Sequence, residues 1–181
     1  INDIPRYLEN KRIFSKNQII EEKIYLILKK YNTSLSDKNR IELAKMLSNE
    51  SRKYGYDPIF ILAIINVESS FYHLSQSNKG ALGLMQIMPV VGEDVAIRLN
   101  IPWKGSKTLY NPINNIRIGI YFLKYLEKRF NNDEISFLTA YCHGPEKLKN
   151  IIENGEAVPH NYAKKVLMEY EILKNKYNNS I

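Results

Sequence analysis

The chain is poor in several things that would point elsewhere. It has one cysteine, Cys142, among 181 residues, so it forms no internal disulfide and holds no Cys-based zinc cluster. Eight glycines and seven prolines exclude collagen-like and Gly/Pro-rich low-complexity chains. The longest strongly apolar run, Ile59 to Val67, is interrupted by Asn66 and falls far short of the roughly 20 residues that span a bilayer. Three histidines are present, and His73 and His160 have no third ligand at metal spacing, so no metal and no cofactor are expected. No aromatic-rich basic stripe, nucleic-acid motif or internal repeat is visible, and a nucleic-acid partner is not expected. With 44% hydrophobic and 25% charged residues, the composition is that of a globular domain.

What is abundant is positive charge. Lys and Arg number 26 against 19 Asp and Glu, for a net charge of +7. Residues 1–55 hold 12 basic and 7 acidic residues, so most of the excess lies there. Such a surface suits an anionic polymer, whether nucleic acid, lipid or an acidic glycan, and is also common in Lys-rich soluble proteins. The chain starts at Ile1, with no n-region/h-region pattern of a signal peptide.

Apolar spacing predicts an all-α fold. Ile20, Ile24, Ile27, Leu28 and Tyr31 share one face of a helix from about Lys16 to Tyr31. A second helix, capped by Ser36 or Asp37, runs to Tyr54 and stops at Gly55. Asp57-Pro58 and Asn111-Pro112 are helix starts, an N-cap acceptor followed by Pro at N1. The first opens a helix apolar on every side and therefore buried; the second opens one reaching about Phe130. Pro89 begins another helix. Further helices are predicted at Glu134–Cys142, Pro145–Glu153 and His160–Lys176. No period-two alternation signals a strand.

Between Pro58 and Pro89 the only acidic residue is Glu68, at the end of the buried helix. Burial and the carbonyl end of the helix both disfavour its charged form and raise its pKa. A carboxylic acid that stays protonated near neutral pH is what a general acid needs. The bland alternative is a helix-end Glu that reaches solvent or pairs with Lys79. A polar loop follows, then Gly80-Ala81-Leu82-Gly83-Leu84-Met85-Gln86-Ile87-Met88-Pro89. On composition alone, Met85 and Met88 read as packing residues.

Glu68-Ser69-Ser70-Phe71, Ser77 and the Gly80–Pro89 run together resemble the catalytic signature of soluble-type (family 1) lytic transglycosylases, relatives of goose-type lysozyme. Three further segments match in order: Asn111-Pro112 with Asn115-Ile116 and Gly119–Leu123; Ala140-Tyr141-Cys142-His143-Gly144-Pro145; and Tyr162 with Lys165-Val166. The match spans about Ile41 to Tyr170. It implies a lysozyme-like helical domain at residues 41–181, preceded by an N-terminal helical extension at 1–40. It implies Glu68 as the catalytic acid and Tyr141, whose hydroxyl lies near that carboxyl, as a second catalytic residue, with Tyr162 beside the acid among the substrate-binding residues. It implies Ser77 on the substrate's N-acetyl group, and Met85 and Gln86 lining the glycan groove. The implied partner is peptidoglycan, cleaved by a monomer in the periplasm or cell envelope after export. Cys142-His143 departs from the family's Asn-Ala. Cys142 is expected as a small buried residue, and His143 either as a solvent-facing histidine or as an extra base.

Most glycosidases use two carboxylates, about 5 Å or about 6.5–9.5 Å apart. Asp57 lies about 16 Å from Glu68 along the helix, too far to be the partner. Glu93 and Asp94, past Pro89, are the remaining candidates. Without them a one-acid route is expected, in which Glu68 acts as acid and then as base and leaves a 1,6-anhydro-muramoyl end. A hydrolytic muramidase and an inactive peptidoglycan-binding module are the competing readings.

Overall fold

A computed structural model of the chain describes residues 3–178, with side chains described for 16–177. The outermost residues of the expected extension and of the expected catalytic domain, 1–2 and 179–181, lie outside the described residues. Nine helices account for the fold among the described residues: α1 Asp3–Lys30, α2 Asp37–Lys53, α3 Pro58–Ser69, α4 Pro89–Arg98, α5 Ser106–Tyr110, α6 Pro112–Arg129, α7 Glu134–His143, α8 Pro145–Glu153 and α9 Asn161–Asn178. The described residues contain no strand, only isolated bridges such as Gln76 to Leu82 and Leu82 to Ile87.

The helix starts follow local chemistry. Ser36 Oγ accepts from the Asn39 amide at 3.3 Å, Asp57 Oδ1 from Ile59 at 2.8 Å, Asn111 Oδ1 from Asn114 at 3.0 Å and Asp133 Oδ2 from Ser136 at 2.8 Å. Each satisfies an amide that the first helical turn leaves without a partner. α1 begins well before Lys16, with Pro5 in its first turn, where a missing N–H costs nothing. The five-residue α5 has no signal in the sequence; it is too short to show a period.

α3 is the axis of the molecule. Ile59 through Ile65 are all buried, because α1, α2 and α9 pack around it. α9 is tied to α3 by polar contacts as well. The Tyr170 hydroxyl donates to Asp57 Oδ2 at 2.7 Å, and Asn66 Nδ2 donates to Glu169 Oε1 at 2.8 Å. α6 packs on α2, α4, α5 and α7, and α7 carries α8.

The expected division between residues 40 and 41 falls inside α2. Ile24, Ile27, Leu28 and Leu35 belong to the same core cluster as Ile61, Ile64, Leu123 and Val166. The end of α1 therefore packs into the same core as the helices that follow it. Ile27 is fully buried. Ile27→Ala is expected to cost about 2–5 kcal/mol, as a core truncation does. Chemical denaturation measures this; an unchanged main transition would mean that α1 is a separable extension.

Candidate active site

Glu68 sits in the last turn of α3, where unpaired carbonyls point past the helix end. The chain must leave sharply here, and Ser70 and Phe71 do so at φ 50° and 64°. This uncommon conformation is held from both sides. The Phe71 side chain is fully buried, with its ring 4.3 Å from that of Tyr31. Ser69 Oγ lies 3.0 Å from the Ile65 carbonyl and 2.8 Å from that of Leu84, with one proton to give. His73 Nδ1 meets the Thr33 carbonyl at 2.7 Å, which joins this loop to the α1–α2 turn.

Among the described residues the Glu68 carboxyl meets no cation directly, and Lys79 does not pair with it. The Tyr162 hydroxyl, from α9, donates to Glu68 Oε1 at 2.5 Å. Burial pushes the carboxyl up to about 7, against the smaller opposing effects of the Tyr162 bond and the Lys165 charge. Burial and the Glu68 charge hold the Tyr141 and Tyr162 hydroxyls well above the usual phenol range, so both are neutral donors.

Tyr141, at the end of α7, lies within electrostatic reach of Glu68 and donates to the Met85 carbonyl at 2.7 Å. With Gln86, Phe122, Cys142 and His143 it lines a cavity of about 290 Å³, whose lining holds Lys79 and Lys147 and no carboxylate. Gln86, at φ 49°, gives its two amide protons to the carbonyls of Gly83 at 2.9 Å and Ser75 at 3.3 Å. Its amide oxygen meets no protein donor among the described residues. Ser77 Oγ accepts from the Ala81 amide at 3.0 Å, which closes the loop and leaves its hydroxyl proton available.

The Met85 side chain is not in the groove. It is fully buried against Gly119, where an added Cβ would come within 2.4 Å of its sulfur. The packing reading of Met85 is therefore the correct one, and only its carbonyl reaches the site. Cys142 is exposed rather than buried, because the last turn of α7 faces the cavity. His143 is exposed beside it. Glu93 and Asp94 are exposed on α4, outside this cavity. Arg98 holds Asp94 through bonds of 2.9 and 3.0 Å and lowers its pKa.

Asn115 has no role assigned from its sequence, yet the loop depends on it. Fully buried on α6, it accepts the Met85 amide at 2.8 Å and donates to the carbonyls of Leu82 and Leu109, each at 2.9 Å. Gly83 lies so close that a Cβ there would sit 2.3 Å from Asn115 Nδ2. The available signal is a polar residue on the apolar stripe of α6 that continues through Gly119, Leu123 and Leu126.

The helical domain thus buries one acid against a tyrosine, and Tyr141 and Cys142, within electrostatic reach of that acid, line a cavity. The chain belongs to the transglycosylase SLT domain family, whose model matches residues 45–163. It is 34% identical over 96 residues to the soluble lytic murein transglycosylase of Salmonella typhimurium, covering 52% of this chain and 15% of the relative. It is 31% identical over 153 residues to membrane-bound lytic murein transglycosylase E of Buchnera aphidicola, covering 79% of this chain and 63% of that one. Among solved structures, an inactive mutant of the lytic transglycosylase Slt from Pseudomonas aeruginosa matches with a TM-score of 0.65 at 26% identity, over 74% of this chain and 24% of that one. The 70 kDa soluble lytic transglycosylase of Escherichia coli matches with a TM-score of 0.65 at 24% identity, over 77% and 26%. The fold is thus the all-α, lysozyme-like one. The chain spans about 15% of the length of the soluble relatives.

The raised pKa has a consequence for stability. The unfolded chain releases the Glu68 proton near the ordinary value of 4.5, the folded chain only near 7. Below pH 4.5 both states are protonated and no penalty exists. Between the two values the folded state alone keeps the proton, so stability falls as pH rises, by roughly 3 kcal/mol once pH 7 is passed. Glu68→Gln is therefore expected to raise the melting temperature by several degrees at pH 8 and to change it little at pH 4. Circular-dichroism melts at the two pH values test this; equal shifts at both would contradict it. In the same assay Asn115→Ala, which strips three buried backbone groups of their partner, is expected to lose about 2–4 kcal/mol at either pH.

Proposed function

We propose that the chain is a peptidoglycan lytic transglycosylase that cleaves the β-1,4 bond between N-acetylmuramic acid and N-acetylglucosamine without water. The observation that carries this reading is the buried Glu68 carboxyl, raised to about 7 and held by Tyr162, within electrostatic reach of Tyr141 and Cys142 in the wall of a cavity that has no carboxylate of its own among the described residues. The names of its relatives support the same substrate, murein. A structural relative, Slt, is inactive as a Glu-to-Gln mutant.

Protonated Glu68 gives its proton to the glycosidic oxygen as the bond from that oxygen to C1 breaks. The substrate's 2-acetamido group supports the positive charge that develops at C1, and the free hydroxyl proton of Ser77 is available to its carbonyl. Glu68, now a carboxylate, takes the proton from the C6 hydroxyl of the same muramoyl residue. That oxygen bonds C1, leaving a 1,6-anhydro-muramoyl end and a new N-acetylglucosamine end. The acid is regenerated and no water is consumed.

Tyr162 orients the carboxyl and favours its charged form in the second half of the cycle. Tyr141 acts as a positioning residue, since its proton is committed to the Met85 carbonyl, and through that bond it fixes the loop carrying Gln86. The Gln86 amide oxygen accepts from a sugar hydroxyl. One chain supplies all of these groups. The substrate places the reaction in the cell envelope, and among the described residues no helix is long and apolar enough to cross a membrane. The hydrolytic alternative needs a second carboxylate to activate water, and Asp94 is exposed and committed to Arg98.

Mass spectrometry of muropeptides released from purified peptidoglycan tests the reaction. Ends in 1,6-anhydro-muramic acid are expected; reducing ends, heavier by one water, would make the protein a hydrolase. Glu68→Gln is expected to lower the rate by about 10²–10⁴-fold. The kcat/KM profile is expected to fall above about pH 7, as Glu68 loses its proton. Tyr162→Phe removes a bond that favours the carboxylate, so it should move that limb up by about one pH unit while lowering kcat.

A further inference from the structure

The cavity at Tyr141 is the first of three neighbouring ones that share wall residues. Its Val91 and Phe122 walls also line a second cavity of about 280 Å³ between α4 and α6. That one shares Tyr121 and Tyr125 with a third, of about 320 Å³, bounded by Lys53, Tyr54, Lys124 and Lys128. Aromatic rings mark the path. Tyr141 and Phe122 lie 5.8 Å apart, Phe122 and Tyr125 stack at 6.2 Å, and Tyr121 meets Tyr54 edge-on at 6.2 Å.

α6 builds the far end. Arg117, Tyr121, Lys124, Tyr125 and Lys128 follow at i, i+4, i+7, i+8 and i+11, so they fall on one face, away from buried Ile116, Gly119, Leu123 and Leu126. An aromatic and basic stripe thus exists where the sequence was expected to have none. Its spacing is helical, and it is hidden among the apolar residues of the opposite face. Several of its charges are matched: Lys124 by Glu127 at 2.9 Å, Lys53 by Glu50 at 3.1 Å, and nearby Arg98 by Asp94. Lys128 is exposed and pairs with no carboxylate among the described residues. Arg117, half-buried and within electrostatic reach of Lys53, likewise pairs with no carboxylate among the described residues. The far end therefore keeps an excess of positive charge beside rings that are open to a ligand.

We infer that this third cavity is a subsite for the short, carboxylate-bearing peptide that peptidoglycan carries on its muramoyl residues. The inference rests on the peptidoglycan reading given above. Length supports it. From Phe122 to Lys128 the helix advances about 9 Å, which an extended chain covers in about three residues. A peptide branching from a sugar held at the first cavity reaches Lys128 with its carboxylates, while its apolar side chains lie on Tyr121 and Tyr125. The protein consequently favours peptide-bearing strands over bare glycan.

The test is binding by the full chain carrying Glu68→Gln, titrated with soluble glycan strands freed of phosphate-bearing polymers, either with peptides intact or with peptides removed by an amidase. The peptide-bearing strands are expected to bind about fivefold more tightly at low salt, with the difference shrinking as salt is raised. Adding Lys128→Glu should bring the ratio of the two affinities close to one. Lys149→Glu, an equal change of charge on α8 outside the groove, should leave the ratio as it was. No preference before Lys128→Glu, an unchanged preference after it, or displacement of both strands alike by a single-stranded oligonucleotide would overturn the inference. Peptide-dependent binding abolished by Lys128→Glu, in a protein whose unmutated form cleaves nothing, would uphold the subsite and remove the catalytic reading instead.

Discussion

Everything in the site depends on keeping one carboxyl largely out of water at the end of a helix buried from Pro58 to Ile65. A carboxylate there lacks hydration and faces the carbonyl end of α3, and both effects favour the protonated form. The Tyr162 bond and the Lys165 charge oppose them but do not prevail, so Glu68 titrates near neutrality. A group balanced in this way can give a proton and take one back at the same pH, which is the demand of a cycle run by a single residue. The cost is a fold less stable above pH 7 than below it.

That carboxyl is useful only if the loop opposite it stays in register, and Asn115 supplies the constraint. One buried amide satisfies three backbone groups, from Leu82, Met85 and Leu109, and so joins α6 and the end of α5 to the Gly80–Pro89 loop. The close approach at Gly83 and the seat of Met85 on Gly119 have the same origin: the loop backbone lies directly on α6, where side chains larger than glycine would intrude. Tyr141 then reads the position of the loop through the Met85 carbonyl. Acid, loop and tyrosine come from α3, the loop after it and α7, and the bonds of Ser69, Asn115 and Tyr141 tie them together.

Much of this is legible in the amino-acid sequence because it rests on local chemistry. Asp57-Pro58 and Asn111-Pro112 mark helix starts because an N-cap and a proline at N1 act within one turn. The buried α3 is legible because a helix apolar on all sides has nowhere else to go. The family resemblance leads to Glu68 and Tyr162, which the fold brings within hydrogen-bond distance across 94 residues of sequence. What the sequence hides are properties set by distant neighbours. The resemblance assigns Met85 to the groove, yet its side chain is fully buried against Gly119, where the missing Cβ leaves it room. Cys142 is exposed where burial was expected, because its exposure depends on which way α7 ends. The 40/41 boundary cuts through α2, because a family resemblance marks where residues match and not where a core closes.

The most direct test of the account is the titration of the Glu68 carboxyl itself, followed by its 13C chemical shift in labelled protein with Glu68→Gln identifying the signal. The account predicts a midpoint about pH 7, moving upward in Tyr162→Phe. A midpoint near the ordinary carboxylate value of 4.5 would mean that Glu68 is already ionised at neutral pH, and a mechanism that begins with its proton would be wrong.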